Sequence, residues 1–74
     1  MTWISVRAKA RPQPDERVVV WLGGLKYPFT PYADLGEFEY GKWTSVAYGE
    51  YARGAVTHWA RIIPPSRAQE KGRN

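Results

Sequence analysis

Hydrophobic residues along this chain follow the two-residue period of β-strands, and no segment keeps the period of an amphipathic helix. The strongest pattern covers residues 17–22, where three consecutive valines lead into Trp21 and Leu22. β-Branched and aromatic residues favour strands, and apolar side chains on both faces indicate a strand inside a sheet. Prolines precede this segment and a Gly-Gly pair follows it, so the chain turns on either side. Residues 17–22 are therefore predicted as the central strand.

Further segments combine β-prone residues with turn residues at their ends and are also predicted as strands: residues 3–6 as an edge strand, then residues 32–35, 37–40, 42–47 and 55–63. Gly36 is placed at a turn between two of them, because glycine is a common turn residue. Over residues 48–53, a short helical turn is kept open as an alternative to extended structure. Alternation in the last segment divides its side chains into two sets, with Val56, His58, Ala60 and Ile62 on one face and Thr57, Trp59 and Arg61 on the other.

These elements predict an all-β fold: one small, twisted antiparallel sheet of four to five strands over residues 1–65. Residues 66–74 are polar, follow two prolines and contain no aromatic ring, so a disordered C-terminal tail is expected there. Four Trp, five Tyr and two Phe supply apolar area in a chain of 74 residues. The expected core consists of Val18, Val20, Trp21, Val56 and Trp59.

The composition excludes several classes of protein. The chain has no cysteine, which excludes disulfides and a thiolate zinc site. The longest apolar run, residues 18–25, is too short to cross a bilayer, and no signal-peptide pattern opens the chain. We therefore expect a soluble, cytoplasmic monomer with no membrane association.

Charge is unevenly distributed around a net value of +4. Residues 1–14 carry +3, residues 34–50 carry −3 and residues 64–74 carry +2. A basic chain suggests a nucleic-acid partner. Here, however, the basic charge comes partly from the two ends, and the middle of the chain is acidic.

Catalytic chemistry is not indicated by the residues. His58 has no nucleophile at a recognisable spacing, and beside Trp59 it is interpreted as a hydrogen-bonded structural residue. Gly23-Gly24 lacks the pattern of a phosphate-binding loop. Glu37 and Glu39 share a strand face as a glycosidase pair could, but the neighbouring rings project to the opposite face. We expect neither an enzyme nor a cofactor or metal site.

Three motifs in order resemble an uncharacterised domain family that is common in bacteriophages and prophages. They are Trp3-Ile4-Ser5-Val6, then residues 16–21 (Glu-Arg-Val-Val-Val-Trp), then Val56-Thr57-His58-Trp59 before a proline-rich end. The resemblance spans residues 3–65. It departs from the family pattern at residues 61–63, where members have a Pro-Leu-Pro type of ending, and residues 25–55 match no pattern of the family. It implies a phage or prophage accessory protein without assigned catalytic residues, similar to type I-C anti-CRISPR proteins.

Two binding hypotheses follow. In the first, the protein contacts a host protein complex, a type I CRISPR effector, with acids that imitate DNA phosphates and with tyrosines that add contact area. Those residues are Asp34, Glu37, Glu39 and Glu50, with Tyr32, Tyr48 and Tyr51. The alternative is a small basic nucleic-acid-binding protein in which Arg7, Lys9 and Arg11 hold phosphates and an exposed ring stacks on bases. The first is preferred because it agrees with the family resemblance.

Overall fold

The structure is a computed structural model, and it describes residues 2–63. Its six strands form one antiparallel sheet in the order β1-β6-β2-β3-β4-β5, so β1 and β5 are the edges. The strands are β1 (Ile4–Ser5), β2 (Val18–Trp21), β3 (Ala33–Glu39), β4 (Lys42–Ser45), β5 (Gly49–Glu50) and β6 (His58–Arg61). The predicted all-β class is confirmed, with six strands instead of four or five.

Side chains alternate between the two faces of the sheet, and directly paired residues on neighbouring strands share a face. We call the core face the one that carries Val18, Val20 and Trp59, which are all 0% exposed. Residues from the loops, Leu22 and Val56 among them, pack against these side chains and close this face. The opposite side of the sheet is called the outer face.

Trp21 was expected in the core, and that prediction is wrong. It follows Val20 directly in β2, so its side chain emerges on the outer face, where 37% of it is exposed. The other four predicted core residues are buried, and Trp59 is the largest fully buried side chain. The predicted alternation holds within β6, where Trp59 and Arg61 share the core face with their partners Val20 and Val18.

The predicted turn at Gly36 is also wrong. β3 runs continuously through Gly36, which is buried and pairs with Val18 on one side and Ser45 on the other. A Cβ at this position would come within 2.9 Å of the Thr44 carbonyl oxygen. Glycine is therefore present because the neighbouring backbone approaches closely, a second common reason for glycine inside a strand.

The turn between β3 and β4 lies at Tyr40-Gly41, where both residues have positive φ angles of 53° and 76°. Two consecutive left-handed residues form the tight turn that suits the twist of a hairpin. Tyr40 therefore leaves the predicted strand and is 95% exposed. The segment for which a helical turn was the alternative contains β5, and the predicted tail, residues 66–74, lies outside the described residues.

The Arg11 side chain helps to hold the long connection between β1 and β2. The Arg11 guanidinium lies 5.4 Å from the centre of the Phe38 ring, on the core face of β3. It also donates hydrogen bonds to three carbonyl groups of its own loop, those of Val6, Ala8 and Ala10, at 2.6–2.9 Å. Pro12, the next residue, is buried. Arg11 thus fixes the loop across the end of the core face.

Candidate functional site: the outer face of the sheet

An apolar band crosses the outer face. In β2, Val19 pairs with Ala60 on one side and with Leu35 on the other. Val19 and Leu35 remain partly exposed, whereas Ala60 is fully buried. The outer face of a one-layer sheet is usually polar, because only the opposite face packs on the core. An apolar band on this face therefore marks a candidate interaction surface.

Two tryptophans stand on the outer face beside this band. Trp3, just before β1, and Trp21 are 42% and 37% exposed. Their ring centroids are 6.3 Å apart and their planes are inclined by 61°, an edge-to-face arrangement. Together with His58 they line a groove of about 340 Å³. We call this the tryptophan groove.

A second depression of about 520 Å³ continues from the tryptophan groove, because His58 lines both. Its walls include Ser5, Arg7 and Thr57. Backbone hydrogen bonds of 3.0 Å hold this end of the sheet together, from the Val6 amide to the Thr57 carbonyl and from the Thr57 amide to the Trp21 carbonyl. We call this the arginine end of the outer face.

His58 lies between the tryptophan groove and the second depression and lines both. Its Nδ1 lies 3.0 Å from the Thr57 hydroxyl oxygen, and the residue is half-buried. Within residues 2–63, no three His, Cys, Asp or Glu side chains are grouped to hold a metal ion.

The opposite end of the outer face is acidic. Glu37 and Glu39 alternate onto this face in β3, and Glu50 reaches it through its partner Thr44, which is paired with Glu37. The structure therefore brings together three of the four predicted acids. Asp15 joins them, because its amide donates a 3.2 Å hydrogen bond to Glu39. We call Asp15, Glu37, Glu39 and Glu50 the acidic end.

Cations partly balance this acidic end. Arg17 lies 3.8 Å from Glu37, and Lys42 lies 3.6 Å from Glu50. Both basic side chains are 62% exposed, so these ion pairs are open to solvent. The side-chain hydrogen bond with Asp15 raises the pKa of Glu39, because two carboxyl groups side by side disfavour a second negative charge.

Asp34, the fourth predicted acid, does not belong to this end. It pairs with Val20, so it lies on the core face. Its carboxylate accepts hydrogen bonds from the Tyr51 hydroxyl at 2.5 Å and the Ser45 hydroxyl at 3.0 Å. Sequence reasoning grouped it with the other acids because it ignored strand parity, which places residue 34 opposite residues 37 and 39.

The same cluster shifts two pKa values. Partial burial alone would raise the pKa of Asp34, but the hydrogen bonds from Tyr51, the Leu35 amide and Ser45 outweigh it and lower that pKa. Burial, followed by the hydrogen bond to Asp34, raises the pKa of Tyr51. The cluster joins β3, β4 and the segment after β5, so its role is structural.

The predicted tyrosines are not gathered with the acids. Tyr32 precedes β3, seven residues before Glu39, which corresponds to roughly 23 Å of extended chain. Tyr48 is 85% exposed, but it lies in the turn between β4 and β5. Tyr51 points its hydroxyl to Asp34. The acidic end therefore has no tyrosine from the predicted set beside Glu39.

The predicted basic set is also divided. Arg11 is engaged with its own loop, whereas Arg7 and Lys9 are exposed. Sequence reasoning missed Trp3 and Trp21 as surface residues and Asp15 as part of the acidic end. The hairpin register carried the signal for Asp15, since extending the register of Val18 with Gly36 by three residues places residue 15 opposite residue 39.

Neither a protein-family model, nor a curated protein, nor a solved structure matches this chain. The resemblance to the phage domain family therefore stays a prediction. Residues 2–63 contain no helix long and apolar enough to cross a membrane.

Proposed function

We propose that this protein is a non-enzymatic, phage- or prophage-encoded inhibitor that binds a host defence complex. The proposed partner is a type I CRISPR effector, and the proposed effect is to keep that complex from its target DNA. The observation that carries the proposal is the acidic end, where four carboxyl groups converge on one end of an open sheet face. Effector complexes hold nucleic acid in positively charged channels, which such a surface complements.

The ion pairs at the acidic end do not oppose this role. Exposed pairs typically contribute only about 0.2–1 kcal/mol, because water screens them. The lysines and arginines of a partner can therefore replace Arg17 and Lys42 at small cost. The raised pKa of Glu39 supports this argument, because a nearby cation would relieve the repulsion between Glu39 and Asp15.

The apolar band supplies the second element of a protein interface. Such interfaces combine an apolar centre with a charged rim, and their energetic anchors are enriched in tryptophan. Val19 and Leu35 lie on the same face as Glu37, which is the next residue of β3 on that face after Leu35. In this proposal the apolar band is the centre of the contact and the acidic end directs it towards basic protein surface.

The test removes charge without changing shape. In the double variant Glu37→Gln, Glu39→Gln, inhibition of DNA binding by a purified type I effector complex should weaken at least roughly tenfold, about 1.4 kcal/mol. The control is Thr30→Lys, Ala47→Lys, which changes net charge by the same amount at exposed positions outside the acidic end. It should inhibit like the wild-type protein.

Two outcomes would contradict the proposal. If the wild-type protein does not inhibit the effector complex, the proposed function is wrong. If both double variants lose inhibition equally, net charge matters and the acidic end does not.

A further inference from the structure

We infer that the arginine end of the outer face, with the tryptophan groove, is a binding site for single-stranded nucleic acid. The site goes beyond the proposed function, because it lies at the opposite end of the sheet and uses none of the acids. It also differs from the basic set expected from sequence, since Arg11 is occupied by its own loop. Its residues are Trp3, Trp21, His58, Arg7, Ser5 and Thr57.

The sheet presents two partly exposed aromatic rings at this site. Trp21 is held in an interior strand and Trp3 adjoins an edge strand, so the sheet fixes both rings while leaving more than a third of each exposed. Single-stranded nucleic acids bind proteins by stacking their bases on such rings. Because the rings are already ordered, little conformational entropy is lost when a base stacks on them.

A cation beside the two rings is positioned for the phosphate backbone of a bound single strand. Arg7 lines the depression that His58 shares with the tryptophan groove. Its amide donates a 3.1 Å hydrogen bond to the Ser5 hydroxyl, which fixes the start of the loop. Within residues 2–63, Arg7 forms no ion pair with an acid, so its guanidinium is available for a phosphate.

The outer face keeps its arginine end and its acidic end well apart. Trp21 pairs with His58 on one side and with Ala33 on the other, and Glu39 lies six residues beyond Ala33 along β3. This corresponds to roughly 20 Å of strand, well beyond the Debye length of about 8 Å at physiological ionic strength. The acidic end therefore does not repel phosphates bound at Arg7.

The geometry favours a single strand over a duplex. Stacking on Trp3 or Trp21 requires an open base face, and the bases of a duplex cover one another's faces. The groove also offers few polar groups to read base edges, so the site should accept any sequence with flexible, unstacked bases.

The experiment is a titration of the protein's tryptophan fluorescence with a twelve-nucleotide oligothymidylate. Stacking should quench part of the signal, while the buried Trp59 continues to emit. Trp3→Ala should weaken binding roughly 5- to 150-fold, the range corresponding to one lost stacking contact. Far-UV circular dichroism of the variant establishes that it is folded.

The matched comparison is Arg7→Glu against Arg17→Glu, which reverse one exposed charge at opposite ends of the same face. Arg7→Glu should weaken binding and lower the salt dependence by about 0.7 in the log–log slope, whereas Arg17→Glu should change both much less. Equal effects would mean unspecific attraction to a basic protein and would overturn the inference. So would equal affinity for a duplex of the same length, or no quenching at all.

This test is separate from that of the proposed function. The Glu37→Gln, Glu39→Gln variant should bind the oligonucleotide at least as well as the wild-type protein. A protein that inhibits the effector but does not bind the oligonucleotide keeps the proposed function and loses this site.

Discussion

Replacing Trp59 should have a much larger effect on stability than replacing Trp21, although both are tryptophans in paired strands. Trp59 is 0% exposed, lies 6.3 Å from Trp43 between ring centroids, and has the Arg61 guanidinium 4.9 Å from its ring. Removing a buried large aromatic side chain costs about 3–5 kcal/mol. A domain of 74 residues is expected to have about 4–11 kcal/mol in total. Trp59→Ala should therefore leave the protein close to unfolding.

Trp21→Ala should cost only about 1–2 kcal/mol, because more than a third of its side chain is already exposed. Urea denaturation followed by far-UV circular dichroism measures both variants. With a slope of about 1 kcal/mol per molar urea, the midpoints should fall by about 3–5 M and about 1–2 M. An equal loss in both variants would refute the assignment of the core face.

Trp59→Phe refines the same prediction. The Trp59 indole N–H has no hydrogen-bond partner among the described residues, and an unpaired buried donor costs about 1–3 kcal/mol. Phenylalanine keeps a ring and removes that donor, so this variant should be clearly more stable than Trp59→Ala.

Three further predictions concern β3 and the residues that contact it. The pKa of Asp34 is lowered on folding, so the stability that Asp34 contributes is complete above its ordinary pKa of 3.8 and is lost as the pH falls further. Asp34→Asn should therefore reduce the loss of stability at acid pH, as measured by urea unfolding at a series of pH values. The pKa of Tyr51 is raised, so stability should fall above about pH 10, where only the unfolded state ionises, and Tyr51→Phe should remove that loss. Gly36→Ala should lower the free energy of unfolding by about 1–3 kcal/mol, because its Cβ would meet the Thr44 carbonyl oxygen. A variant as stable as the wild type in urea would contradict this close approach.

The elements that could be predicted from sequence are those whose pattern is local. The three valines before Trp21 identified an interior strand, and alternation in β6 correctly placed Trp59 on the face of Arg61 and opposite His58 and Ala60. The same alternation shows that Trp21 points away from Val20. Trp21 was wrongly assigned to the core because hydrophobicity alone does not distinguish a buried tryptophan from one that is left on an open face.

The candidate site could be predicted only in part, because it depends on pairing between distant residues. The Asp15 amide donates a hydrogen bond to Glu39 across the β2–β3 hairpin. The Arg11 guanidinium donates hydrogen bonds to carbonyl groups of its own loop and is therefore not available with the other predicted basic residues. The Asp34 carboxylate lies on the core face, where it accepts a hydrogen bond from the hydroxyl of Tyr51, seventeen residues away. The contacts of Asp15 and Arg11 leave no periodic trace in the chain, whereas the position of Asp34 on the core face follows from strand alternation.

The short edge strands have a consequence for how copies of the protein meet. β1 and β5 are two residues long, so each edge offers little unpaired backbone for another strand to join. Fibril-like growth by edge-to-edge pairing is therefore disfavoured. The apolar band lies on the open outer face with Val19 and Leu35 partly exposed, so association at high concentration should stack one sheet on another through these two side chains. Raising the solubility of this protein would then require a change in the middle of its outer face, and changes along its edges would have little effect.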